Sequence, residues 1–218
     1  MSKKFIFGIA LLILLTTFIS QKKFSINKFK IQEIEIKNNE ILGRQEIIDD
    51  LDFLYNENII FLNTFKIKKI LKEISFIDGL NIKKIYPNKL EIKIFEKKPI
   101  AILINKGDKF FLSKKIELIE YREISKLNNL PVIYGDKKNF KILYQNLNKA
   151  KFPIDYIKQY NFLDSNRWDI EMIDKKIIKL PNYDYVKSLK SFLEIKDNRN
   201  VNKYKVFDFR LKNQLIMK

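Results

Sequence analysis

Cysteine and histidine are both absent from the 218 residues, and arginine is scarce. The first two absences remove disulfides, thiolate nucleophiles, imidazole bases and the usual zinc ligands together. Most hydrolase and metalloenzyme chemistry is thereby unavailable. The lack of cysteine leaves the compartment open, because an exported domain with an adequate core needs no disulfide. The scarcity of arginine bears on the charge. Lys and Arg number 43 against 26 Asp and Glu, a net charge of +17, which suits phosphate neutralisation and counterion release on nucleic acid. Only five of those basic residues are arginine (Arg44, Arg122, Arg167, Arg199 and Arg210), whereas base and phosphate recognition favours the planar guanidinium fork. The lysines run along the whole chain and, with the abundant Ile, Asn and Phe, read as a bias toward AT-rich codons and as solvated surface. Nucleic acid is set aside as a partner, and attraction to anionic headgroups is the milder consequence.

What is present begins with Phe5 to Ser20 (FIFGIALLILLTTFIS), 16 uncharged residues between the lysine pairs Lys3, Lys4 and Lys22, Lys23. The run rises about 24 Å as a helix, somewhat less than a hydrocarbon core of about 30 Å, and snorkelling lysines at both ends close the gap. It reads as a signal peptide or a short anchor. Signal peptidase needs small residues at positions minus three and minus one, and a site ending at Ser20 has Phe18 at minus three. The reading adopted is an uncleaved transmembrane helix over residues 5–21, a cytoplasmic tail at 1–4 and a translocated body. Both flanks are basic, so charge alone does not orient the span.

From residue 29 to 98 the pattern predicts β-α-α-β-β. Ile34 and Ile36 alternate with Glu33, Glu35 and Lys37, the period of a strand with one buried face. After Asn38, Asn39 and Gly43, Ile47, Leu51 and Leu54 fall on one helical face. A second helix, capped by Asn63 or Thr64, carries Ile67, Ile70, Leu71 and Ile74. Leu80, Ile82 and Ile85 then predict a strand, Tyr86, Pro87 and Asn88 a tight turn, and Leu90, Ile92 and Ile94 an alternating strand. Glu96 reads as a solvated edge charge. This order, with Tyr86, Pro87, Asn88 and Leu90 in an aromatic-Pro-Asn-x-Leu turn and Glu96, Lys98 and Pro99 in a Glu-basic-x-Pro stretch, resembles a POTRA domain of the FtsQ/DivIB family.

Residues 99–218 read as a mixed, mainly antiparallel β domain with helices, and the whole chain as α+β. Ile100 to Ile104, a turn at Lys106, Gly107 and Asp108, and Phe110 to Leu112 make a hairpin. Ser113, Lys114 and Lys115 stand where the family has an Asp-x-x-Gly turn. Leu130, Pro131 and Val132 resemble its Leu-Pro stretch. Phe140, Leu143, Tyr144 and Leu147 share a helical face, as do Val186, Leu189 and Leu193. Arg167 and Trp168, with Ile170 and Met172, are similar to the family's Arg-Trp strand. The closing VFDFRLKNQLIMK is similar to its terminal Val-Asp-Leu-Arg strand. Pro99 ends one unit and opens the next, so the two read as separable modules.

The resemblance implies a non-enzymatic, single-pass inner-membrane scaffold at the division septum, with its body in the periplasm. It also implies that FtsB and FtsL, the septal synthase complex and FtsK are the partners, with no cofactor, metal or small-molecule substrate. In the family a partner docks as an added strand on the last strand, so Phe207, Phe209, Arg210 and Leu211 become candidate contacts. Arg167 and Trp168 join them, although Trp168 reads first as a core aromatic. Two other classes compete with it. Asp164, Asp169 and Glu171 are available for acid–base glycan cleavage, but nothing in their context separates them from surface acids. A POTRA-bearing outer-membrane transport protein needs a long barrel, and about 120 residues that include two helices do not supply one.

Overall fold

The computed structural model describes residues 3–17 and 26–218. Its first element, α1 (Lys3–Thr17), takes up most of the uncharged run. These 15 residues rise about 22 Å, and no helix among the described residues is long and apolar enough to cross a membrane. Residues 18–21 of the expected span lie outside the described residues.

The first unit follows the predicted order. It comprises β1 (Glu33–Lys37), α2 (Arg44–Asp49), α3 (Thr64–Glu73), β2 (Ile77–Ile85) and β3 (Lys89–Glu96). The sheet order is β1-β3-β2, with β1 parallel to β3 (Ile34 opposite Leu90, Ile36 opposite Ile92) and β2 antiparallel to it. Asn63 is the cap of α3, its side chain accepting from Phe65 N, as its short polar side chain favours. Ile47, Leu51, Leu54, Ile67 and Leu71 from the helical segments meet Ile34, Leu90, Ile92 and Ile94 from the sheet in one buried cluster.

Glu96 is not a solvated edge charge. Its carboxylate accepts three backbone N–H groups, from Glu40 (3.1 Å), Ile41 (2.8 Å) and Leu42 (2.8 Å), and so holds the loop that leads into α2. Hydrogen bonds to a charged acceptor are stronger than neutral ones, and removing that acceptor strands part-buried donors. Glu96→Ala is expected to lower the unfolding free energy by about 3 kcal/mol, read from the urea midpoint. Glu96→Gln keeps one acceptor oxygen and is expected to lose about half as much.

The second unit comprises β4 (Pro99–Asn105), β5 (Asp108–Ser113), β6 (Leu118–Glu120), β7 (Val132–Tyr134), α4 (Lys137–Lys149), β8 (Ile157–Leu163), β9 (Arg167–Met172), β10 (Ile177–Lys179), α5 (Tyr185–Ile195), β11 (Val206–Asp208) and β12 (Ile216–Met217). They form a nine-stranded sheet ordered β12-β11-β10-β9-β8-β7-β4-β5-β6. The β4–β5 hairpin turns at Lys106 (φ 51°) and Gly107 (φ 95°), the paired positive φ of a two-residue turn whose twist matches the strands. At the next turn the Ser113 hydroxyl accepts from Lys115 N (3.2 Å) and Glu117 N (3.1 Å), closing it without glycine. Phe140, Leu143 and Leu147 of α4 and Leu189 and Phe192 of α5 cover Tyr160, Trp168, Ile170, Ile178 and Phe207 of the sheet.

The two units share buried contacts. Phe111 and Ile119, on β5 and β6, are buried in the core of the first unit. The Phe111 ring lies 5.9 Å from that of Phe76 and 5.0 Å from that of Tyr121. Arg122 stacks on Phe76 at 4.9 Å and pairs with Glu46 at 2.6 Å. The outer edge of β6 is engaged as well, because Glu120 N donates to Ser75 Oγ (3.2 Å). The hairpin reading of Phe110 to Leu112 carries no sign that Phe111 enters a neighbouring core.

Candidate partner-docking edge

Three of the six candidate contacts are core residues. Phe207 and Trp168 are fully buried and Phe209 nearly so. Trp168 lies edge-on to Phe140 (6.2 Å between centroids) and against Phe162 (4.9 Å). These side chains support the sheet from its helical face and are not available to a partner. Arg167 and Arg210 are half-buried, and Leu211 is 51% exposed.

The strand that carries Phe207 is not the edge of the sheet, which corrects the expectation for the terminal run. β11 is parallel to β10 on one side and antiparallel to β12 on the other, with Phe207 opposite both Ile178 and Met217. The chain reverses between them, where Gln214 N donates to Leu211 O (3.3 Å) and Asn213 takes a positive φ of 57°. Asn213 was the available signal, since asparagine tolerates that conformation and marks turns.

Among the described residues, β12 is the last strand on this side of the sheet. Its backbone faces can be assigned. Lys218 N donates to Val206 O (3.0 Å) and Val206 N to Lys218 O (2.9 Å), so these two form a hydrogen-bonded antiparallel pair. Because such pairs alternate, the N–H and C=O of Ile216 turn inward to Asp208, and those of Leu215 and Met217 turn outward. The outward row is a template for a further strand. Beside it, between α5 and the 209–215 segment, lies a groove of about 640 Å³ lined by Tyr183, Lys187, Phe209, Leu211 and Leu215.

The face of β9–β11 that carries no helix is charged. Lys179 stands opposite both Asp169 and Asp208. Arg210 forks onto Asp208, with Nε donating to Oδ1 at 2.7 Å and a terminal nitrogen to Oδ2, and Arg210 N also donates to Oδ1 (3.1 Å). This hydrogen bonding holds the Asp208 carboxyl below its usual pKa and raises that of Arg210. Burial pushes the Asp169 carboxyl upward against the pull of Lys179 and Arg167. Asp169 Oδ1 and Arg167 Nε are buried without a hydrogen-bond partner. Arg210 is thus committed first to Asp208, and only its remaining surface is free to meet another chain. No cluster of acids able to hold a metal ion occurs among the described residues.

A family model described as POTRA domain, FtsQ-type, matches residues 29–97. A second, described as cell division protein FtsQ/DivIB, C-terminal, matches residues 101–210. Fold and matches together define a cell division protein built from a POTRA unit and a β domain. The chain belongs to the FtsQ/DivIB family. It is 29% identical over 190 residues to the cell division protein FtsQ of Rickettsia typhi, covering 85% of this chain and 71% of that one. With the FtsQ of Rickettsia conorii it shares 27% over 204 residues, 92% of this chain and 76% of the relative. With that of Bartonella bacilliformis it shares 23% over 168 residues, 76% of this chain, and spans about half of the relative, 54%.

Proposed function

We propose that this chain is a bitopic, non-enzymatic scaffold of the bacterial division machinery, which links septal proteins by receiving a partner strand on β12. The N-terminal run is its inner-membrane anchor, with residues 1–4 in the cytoplasm and the POTRA unit (29–98) and β domain (99–218) in the periplasm. FtsB and FtsL are its direct partners, with the septal synthase complex and FtsK further out, and no cofactor or small-molecule substrate takes part.

The observation that carries this reading is the asymmetry of the nine-stranded sheet. At one end β6 is engaged by Ser75, and at the other β12 presents the outward N–H and C=O groups of Leu215 and Met217. Strand addition draws affinity from such backbone groups and specificity from alternate side chains. Ile216 and Leu211, both exposed, supply apolar contact beside the row, and Arg210, two residues past β11, adds charge, while Arg167 sits on β9, three strands in from β12. Phe207, Phe209 and Trp168 act beneath, by holding β11 and β9 in place.

A photo-crosslinking residue tests this in dividing cells. Placed at Ile216 it is expected to yield an adduct containing the FtsB partner, while the same group at the exposed Tyr156 yields none. Adducts from Tyr156 alone would place the partner elsewhere.

A further inference from the structure

We propose that the tip of the POTRA unit, formed by the start of α3 and the loop before it, rests on the surface of an anionic lipid bilayer, with Phe61 and Phe65 seated among the headgroups. The proposal rests on the reading of the N-terminal run as an anchor. Phe61 is 84% exposed and Phe65 74%, and Phe53 and Ile60 beside them are also exposed. Neither core claims Phe61 or Phe65. Large apolar groups gathered on one surface mark an interaction site.

The chemistry around them narrows the partner. Over residues 52–72 there are four lysines, Lys66, Lys68, Lys69 and Lys72, against two acids, and no acid lies between Asn58 and Lys72. Lys66 stands over the Phe53 ring at 4.8 Å, and Lys84 donates to Ile60 O at 3.1 Å, so ammonium groups collar the aromatic surface. Aromatic rings set among long cationic side chains match an interface that is apolar below and anionic above. A protein partner would need acidic groups in the same pattern. A bilayer rich in anionic lipid supplies them everywhere.

Chain path puts the patch on the correct side. Ile59 N donates to Phe29 O (2.9 Å), and Lys30 bridges to Asn58. The loop carrying Phe61 is therefore stitched to the segment that precedes β1, on the side from which the chain arrives. Twelve residue steps separate Thr17 from Phe29, a reach of at most about 42 Å. The connection carries Lys22, Lys23 and Lys28, and the first acid of the chain is Glu33.

The test uses the full chain reconstituted in vesicles of phosphatidylcholine and phosphatidylglycerol, with Trp168→Phe to remove the native fluorophore. Phe61→Trp is expected to show blue-shifted emission that lipids brominated near the headgroup quench, while Leu211→Trp, also exposed, is not quenched. Lys66→Gln and Lys69→Gln are each expected to lower the ratio of docked to undocked tips about fivefold, and pure phosphatidylcholine to reduce it further. Unquenched, water-like emission from Phe61→Trp in chains that still float with the vesicles would overturn the proposal and spare the anchor. Chains that do not float would overturn the anchor and the proposal with it. Emission that is water-like in vesicles but protected in native membranes would assign the patch to a protein and overturn the lipid reading.

Discussion

Replacing Met217 with proline is expected to abolish capture of the partner strand while leaving the protein folded. The Met217 N–H points away from β11, so the substitution breaks no internal hydrogen bond, and proline is tolerated on edge strands for that reason. What is lost is one outward donor and, more importantly, room. The pyrrolidine ring projects into the plane where the next strand must approach to about 4.8 Å. A loss of at least about tenfold in affinity, or about 1.4 kcal/mol, is expected in titrations with the partner peptide, with an unchanged urea midpoint. Ile216→Pro is the informative companion, because its N–H turns inward to Asp208, and it is expected to lose both partner and β12 pairing. Arg210→Glu is a poorer probe. It would set two carboxylates together where Arg210 now forks onto Asp208, so any loss of binding would follow from local repulsion. Lys187 lines the groove beside the edge, so Lys141→Glu on α4 serves as the silent control. Normal binding by Met217→Pro would sink the assignment of the edge.

Trp168→Ala is expected to cost about 4 kcal/mol of stability, the largest effect of any single truncation in the β domain. The indole is 1% exposed and is walled by Phe140 and Phe162. Its site also constrains the neighbouring turn: a Cβ on Gly135 would stand 2.8 Å from Phe162 Cβ and 3.2 Å from the indole. No rearrangement of short side chains refills a cavity of that size, since close-packed interiors relax only partly. Urea unfolding followed by far-ultraviolet circular dichroism gives the number. The same experiment separates support from contact. Trp168→Phe is expected to recover much of the stability and, with it, partner binding; a variant that is stable but deaf to the partner would return Trp168 to the interface.

Where the sequence alternated or repeated at helical spacing, it could be read. Leu90, Ile92 and Ile94 on β3, Phe140, Leu143 and Leu147 on α4, and Trp168, Ile170 and Met172 on β9 are buried as their periods require. Periodicity stops being informative where two neighbouring segments share a phase. The closing run alternates from Phe207 to Leu211 and stays apolar from Leu215 to Met217, so a single strand and a strand, turn and strand look alike except at Asn213. The edge of the sheet therefore lies one strand beyond the one that the alternation marks. Nor does a pattern say which core a face will enter, as Phe111 and Ile119 show. The role of Glu96 is hidden for a related reason: the three N–H groups that converge on it come from residues 40 to 42, and convergence over 54 to 56 positions leaves no local trace.

The engagement of β6 by Ser75 has a consequence for stoichiometry. Elongation by edge addition requires two growing ends, as in a fibril. Among the described residues this sheet has one, because its other terminus is three residues long and tied down within the same molecule. Two copies joined through β12 would close on themselves and stop. A foreign strand seated there would foreclose even that, so through this sheet a copy would accept one added strand.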